Sequence, residues 1–231
     1  VIEDISDQMA QLALQGPLAE KVMKTLVPEQ QIPQKYYSFL ANVTVGKANV
    51  LLSRTGYTGE DGFELYCAPT DAPALFVALV EAGAPFGLQL CGLGCRDTLR
   101  MEAAMPLYGH EMDDSVSPLE TALGNYVKMD KADFIGKEAL LASGSPRRAR
   151  IGLRMVGRGI AREHFPVFCE GQAIGHTTSG THCPTVGPIA MALVEASHQT
   201  VGDTLQVEIR GALVDAQIVP LPFYARKKSP A

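Results

Sequence analysis

No stretch of this 231-residue sequence stays apolar for the roughly 18 to 20 residues that a membrane-crossing helix requires. Its opening, from Val1 onward, shows no charged-apolar-small leader. The expectation is an aqueous, cytoplasmic protein. Basic runs are scarce too, the longest being Arg226-Lys227-Lys228, and 20 Lys and Arg against 25 Asp and Glu leave a formal charge of -5. That balance argues against nucleic acid or an anionic membrane as the main partner. Five cysteines, Cys67, Cys91, Cys95, Cys169 and Cys183, contain no C-x-x-C pair. Odd in number and set in apolar contexts, they read as reduced, small, mostly buried side chains rather than a disulfide framework or a closed zinc set. His110, His164, His176, His182 and His198 have no metal-ligand spacing, and no serine sits in a nucleophile elbow. Gly136-Lys137-Glu138 lacks the glycine loop of a phosphate-binding lysine, and Gly92 and Gly94 lack the third glycine of a dinucleotide fingerprint. His182-Cys183 beside Thr181 is a conceivable nucleophile, but its place in a β-rich stretch between turn signals favours a structural role. Internal repeats and low-complexity segments are absent.

With 46% hydrophobic and 19% charged residues, the chain can bury a sizeable core and form more than one compact unit. Met9 to Gln15 alternates like a strand and stops at Gly16-Pro17, after which Leu18, Val22, Met23 and Leu26 mark one face of a short helix. Tyr37 to Val45, Ala48 to Ser53 and Gly62 to Ala68 read as strands. Thr70 or Asp71 can cap a helix carrying Leu75, Phe76, Leu79 and Val80, and Arg96 to Ala104 reads as a further helix ending before Pro106. Gly92 and Gly94 predict a tight turn between Cys91 and Cys95. Beyond Ser143 the texture changes: Gly144 to Arg148 reads as a linker, and six short strands follow with turns at Glu170-Gly171, Ser179-Gly180 and Arg210-Gly211. The expectation is an α+β fold, with antiparallel strands and packed helices over residues 1–143 and an all-β barrel over 144–231.

Two segments can carry chemistry. Arg54-Thr-Gly-Tyr-Thr-Gly-Glu-Asp-Gly-Phe-Glu64 packs three glycines and three carboxylates into eleven residues, so a backbone can bend closely round a ligand and aim acids at it. Glu64, between Phe63 and Leu65 in a strand, points away from those apolar neighbours and needs a donor, such as a heterocycle with adjacent N–H groups. The plain alternative is a glycine-rich hairpin with a solvated acidic tip. In Cys91-Gly-Leu-Gly-Cys-Arg-Asp-Thr-Leu-Arg-Met-Glu102, Arg96 opposes the dipole at a helix start and calls for an anionic partner, either Glu64 or a ligand carboxylate. Arg100 and Glu102 read as surface or inter-domain pairs.

Taken together, LALQGP, RTGYTGEDGFELY, GLGCRDTLRMEAAMPLYGHEM, FIGKEAL, HTTSGTHCPTVGPIAMALV and VPLPFYARK resemble the glycine cleavage T-protein family in order and spacing, nearly from end to end. The resemblance implies an aminomethyltransferase that takes an aminomethyl group from the lipoyl arm of a carrier, the lipoylated H-protein. The one-carbon unit passes to tetrahydrofolate, a cosubstrate, and ammonia is released. By motif position, Glu64 resembles the family's pterin-binding glutamate, Arg96 its site arginine and Tyr57 a pocket residue. Arg226, after the terminal Pro-Phe-Tyr, is aligned with the site more loosely.

One departure weighs on activity. The family's catalytic aspartate lies in an N-terminal segment with a GG-hydrophobic-hydrophobic-Asp-Asp-type motif, which matches nothing in this sequence. The expectation is therefore a portion of the enzyme, inactive alone, with residues 1–143 forming parts of two domains and a further segment of the same enzyme as a partner. Two alternatives stand: a non-catalytic folate-binding relative, and the folate domain of an amine-oxidising flavoenzyme.

Overall fold

A computed structural model describes residues 2–226. The chain forms two compact units, Val1–Arg96 and Asp97–Ala231. In the first, β1 (Ala10–Gln15), β2 (Phe39–Val45), β3 (Ala48–Ser53) and β4 (Gly62–Cys67) make an antiparallel sheet in the order β1-β4-β3-β2. Gly46, at φ 62°, turns the β2–β3 hairpin. Because strand side chains alternate, Val50 and Leu52 of β3 and Phe63 and Leu65 of β4 share one buried face. They pack with Val22 and Met23 of helix α1 (Ala19–Leu26) and Leu75 and Leu79 of α2 (Ala72–Gly83). Burying Leu52, Phe63 and Leu65 contributes roughly 1.5–3 kcal/mol each. Asp71 holds the N-cap position of α2 but makes no side-chain cap bond; Pro73 in the first turn pre-sets the backbone instead.

Helix α3 (Leu93–Glu102) begins earlier than its sequence suggests. The Arg96 N–H donates to Gly92 O at 3.2 Å, so Gly94 and Cys95 are helical rather than part of a tight turn. After the short helix α4 (Lys137–Ser143), six strands follow: β5 (Arg148–Met155), β6 (Pro166–Cys169), β7 (Gln172–Cys183), β8 (Gly187–Glu195), β9 (Thr204–Ile209) and β10 (Ala212–Val219). They close into a barrel in the order β10-β5-β8-β7-β6-β9, filled by Ile151, Leu153, Val167, Ala192, Val207 and Ile218 among others. Closure leaves no free edge to pair with another chain.

Two barrel hairpins turn where expected, with positive φ at both Glu170 and Gly171 and at both Arg210 and Gly211, as two-residue turns require. Ser179-Gly180 is not a turn, because β7 runs unbroken through it with a register slip between Thr177 and Ser179. Gly180 is there for close approach: a Cβ on it would stand 2.1 Å from Ala161 O. The fold is thus α+β, with helices on an antiparallel sheet followed by an all-β barrel.

Candidate functional site

The alternation that buries Phe63 and Leu65 turns Glu64 and Tyr66 to the opposite face of the first sheet. Strand register aligns Ala13, Glu64 and Ser53 across three strands, and Gln11, Tyr66 and Leu51 beside them. Glu64 is half-buried. Gln11 Nε2 donates to its Oε1 at 2.6 Å and Thr55 Oγ1 to its Oε2 at 2.5 Å. Burial, then the charge of Glu64 and a hydrogen bond to it, raises the pKa of Tyr66, so the hydroxyl stays a neutral donor. Every donor to Glu64 is therefore uncharged, and no ion pair to it occurs among the described residues. A carboxylate has about four acceptor sites, so Glu64 retains capacity for further N–H donors.

The glycine-rich segment before β4 is a pinned loop rather than a solvated acidic tip. Arg54 forms a two-point pair with Asp61, Nε to Oδ1 at 3.0 Å and Nη2 to Oδ2 at 2.5 Å, and also reaches Glu20 at 2.5 Å. The Asp61 partnership, then that with Glu20, raises the Arg54 pKa against the cost of burial. From the other side, Gln15 Nε2 donates to Thr55 O at 3.0 Å and to Phe63 O at 3.3 Å, and Thr58 Oγ1 donates to Gln15 Oε1 at 3.1 Å. Gln15 fits only because Gly56 and Gly62 have no side chain, since a Cβ on either would lie 1.9 Å or 2.5 Å from its amide atoms. Asp61 is thus structural, while Glu64 is left on the open face.

Arg96 does not pair with Glu64. Exposed on the first turns of α3, it lays its guanidinium over the Tyr57 ring, 4.8 Å from the centroid. The first unit therefore places Glu64 on a strand and both Arg96 and Tyr57 in a cation–aromatic pair. Arg226 belongs to the second unit, where it is half-buried beyond β10.

The second unit holds a polar cluster that the sequence did not disclose. Arg100 and Glu102, expected to form surface or inter-domain pairs, are buried within the second unit, with Arg100 only 1% exposed. Arg100 pairs with Glu111 at 2.9 Å and Asp97 at 2.7 Å, and donates to Ser179 Oγ at 2.9 Å and Met105 O at 3.2 Å. Glu111 also accepts from Leu107 N at 2.9 Å and Thr178 Oγ1 at 2.6 Å. The available signal was Thr177-Thr178-Ser179, a polar run within an otherwise apolar strand, which must find partners when buried. Glu102 accepts from Thr185 Oγ1 at 2.5 Å. Burial, then the charge of Glu102, pushes the neighbouring Cys183 thiol up to about 12, which makes it an inert core residue. Cys91, in contrast, is exposed. Among the described residues, no set of three or more His, Cys, Asp or Glu is arranged to hold a metal, and no helix is long and apolar enough to cross a membrane.

Comparison with known proteins adds a second line. The family described as GCVT N-terminal domain matches residues 1–131, and the glycine cleavage T-protein C-terminal barrel domain matches residues 148–225. A protein named aminomethyltransferase from Halalkalibacterium halodurans is 48% identical over 229 residues, covering 97% of this chain and 62% of the relative. One of the same name from Streptomyces avermitilis is 48% identical over 236 residues, 99% of this chain and 63% of its own length. The crystal structure of glycine cleavage system aminomethyltransferase T from Bartonella henselae superposes with a TM-score of 0.84 at 32% identity, over 94% of this chain and 60% of that one. The chain thus spans less than two thirds of the length of these relatives.

Proposed function

Since this chain belongs to the glycine cleavage T-protein family, we propose that it serves tetrahydrofolate-dependent aminomethyl transfer, with Glu64 as the acceptor that holds the pterin. The aminomethyl group comes from the lipoyl arm of the H-protein, the one-carbon unit goes to tetrahydrofolate, and ammonia leaves. The observation that carries this reading is Glu64 itself: a carboxyl side chain on an open sheet face, held by three neutral donors and no cation. A pterin presents adjacent N–H donors that a carboxylate can accept together, and a charge-assisted bond of that kind is stronger than a neutral one. Gln11, Thr55 and Tyr66 fix the carboxylate's orientation, and the Gln15-pinned loop fixes Tyr57. Arg96 over Tyr57 offers a flat, positively charged platform for the remainder of the cosubstrate. Arg226 is proposed as a further folate-binding residue on its motif position alone.

In this reading the family's N-terminal aspartate, which assists proton movement or positions folate, lies outside residues 1–231, so these residues alone do not turn over. The domain boundary is placed at residues 143/144, ahead of β5, and the compartment is the cytoplasm. The test is Glu64→Gln in the complete protein, with tetrahydrofolate affinity measured by calorimetry. Exchanging charge for a neutral amide should weaken binding by about 10- to 100-fold, with circular dichroism unchanged because the Gln oxygen can still accept from Gln11 and its NH2 can donate to the Thr55 hydroxyl oxygen. Unaltered affinity would remove Glu64 from the site.

A further inference from the structure

A cavity of about 340 Å³ opens on the second unit beside β5 and the chain following β10. That volume lies at the lower end of the range for small-molecule pockets. Ala103, Ala104, Val201 and Leu221 give its wall apolar surface, Gln199 adds a polar group, and Arg150 supplies the charge. One flank of the guanidinium is fixed, with Nη1 donating to Ala104 O at 2.7 Å and resting 3.6 Å from Met191 Sδ. Its Nε is buried without a hydrogen-bond partner. Glu111, the carboxylate whose charge Arg150 feels, is already committed to Arg100, Leu107 N–H and Thr178. No ion pair of Arg150 occurs among the described residues.

The wall is also held in unusual backbone. Ala104 and Ala122, both lining the cavity, sit at φ 53° and 60°, a region L-residues rarely occupy. Such conformations persist where the surroundings impose them, often at ligand sites. Gly152 lets the following chain lie close, since a Cβ there would meet Leu221 at 2.5 Å and Phe223 at 3.1 Å. A guanidinium without an ion-pair partner, in a hollow with apolar walls on one side, carries a desolvation cost that an anion with an apolar body would offset. Burial lowers the Arg150 pKa, Glu111 raises it and Arg100 lowers it again, consistent with a charge short of a counter-ion.

We propose that this cavity binds a small monocarboxylate with a compact apolar body, the Arg150 guanidinium serving as counter-ion to the carboxylate. The site lies wholly within the second unit and stands or falls independently of the pterin role of Glu64.

Benzoate and benzamide, alike in shape and different in charge, test it by calorimetric titration of the complete chain. Benzoate should bind one to one and at least about tenfold tighter than benzamide, the range expected of a charge-assisted pair. Arg150→Gln should erase that preference while leaving the weak benzamide binding in place. Because Arg150 also supports Ala104 O, Val201→Phe provides a second variant: Val201 is 56% exposed, and a phenyl ring there narrows the cavity without touching the guanidinium. It should weaken both ligands. Equal affinity for the two ligands in the wild-type chain, no saturable benzoate binding, or benzoate binding indifferent to Val201→Phe would each overturn the proposal.

Discussion

Glu64 and Glu111 are the same residue put to opposite uses. Glu111 is sealed inside the second unit, facing the equally buried Arg100, with a backbone N–H and the Thr178 hydroxyl completing its shell. Glu64 stands half-open on a sheet face and takes its bonds from a glutamine, a threonine and a tyrosine. A buried carboxylate with its own cation is saturated and serves the fold, because removing it strands a charge where water cannot reach. A carboxylate oriented only by neutral groups is held in place without being neutralised. The partner set therefore separates a structural acid from one available to a ligand.

The strongest way to break this contrast is to delete each acid in turn. Glu111→Ala should cost about 3–5 kcal/mol, since Arg100 would keep only half-exposed Asp97 as counter-ion. Glu64→Ala should cost no more than about 1 kcal/mol, the net worth of neutral hydrogen bonds at a partly solvated site. Urea unfolding of the two variants against the parent chain measures both. Comparable losses would mean that Glu64 is structural as well, and that its open face is no guide to function.

A second experiment sharpens the contrast at the loop beside Glu64. Gly56→Ala brings a methyl into the space of the Gln15 amide and should destabilise by about 1–3 kcal/mol, as overpacking does. In a Gln15→Ala background the same change should cost little, giving a coupling of about 1 kcal/mol or more in a double-mutant cycle read by thermal melting. Additive losses would show that the cost at Gly56 does not come from its contact with Gln15.

How legible these features were follows from the range of the interactions involved. Strand alternation is local, so Ala48–Ser53 and the opposed directions of Glu64 and Phe63 could be read directly, as could the hairpin turns at Glu170-Gly171 and Arg210-Gly211. The role of Gln15 could not, because its partners lie 40 to 48 residues away. The burial of Arg100 depends on Ser179, 79 positions on, and helical position alone makes an arginine look like a surface residue. Gly180 reads as a turn until Ala161 is seen passing over it. Charge alone pairs Arg96 with Glu64, yet the guanidinium lies over the Tyr57 ring and Glu64 has neutral partners of its own.

The smallest predicted effect concerns an acid between the two extremes. Glu120 is buried yet paired with Arg148, which is over a third exposed, through two bonds of 2.9 Å, and it also accepts from Ser117 N at 3.0 Å. The Arg148 hydrogen bonds, opposed by burial and helped by Ser117, hold its pKa below the ordinary 4.5. A carboxyl group whose folded pKa is depressed contributes stability that is fully present above the unfolded value and vanishes as pH falls through the folded one. Glu120→Gln should therefore melt lower than the parent at neutral pH, by an amount corresponding to about 1 kcal/mol or less for so solvated an arginine partner. The gap should begin to close below pH 4.5 and disappear once both chains carry a neutral side chain there. Melting temperatures from pH 7 downward decide it: a gap that stays constant through the acid range would mean that the pair contributes by packing and hydrogen-bond geometry, with its charge immaterial, and would place Glu120 outside the distinction that Glu64 and Glu111 define.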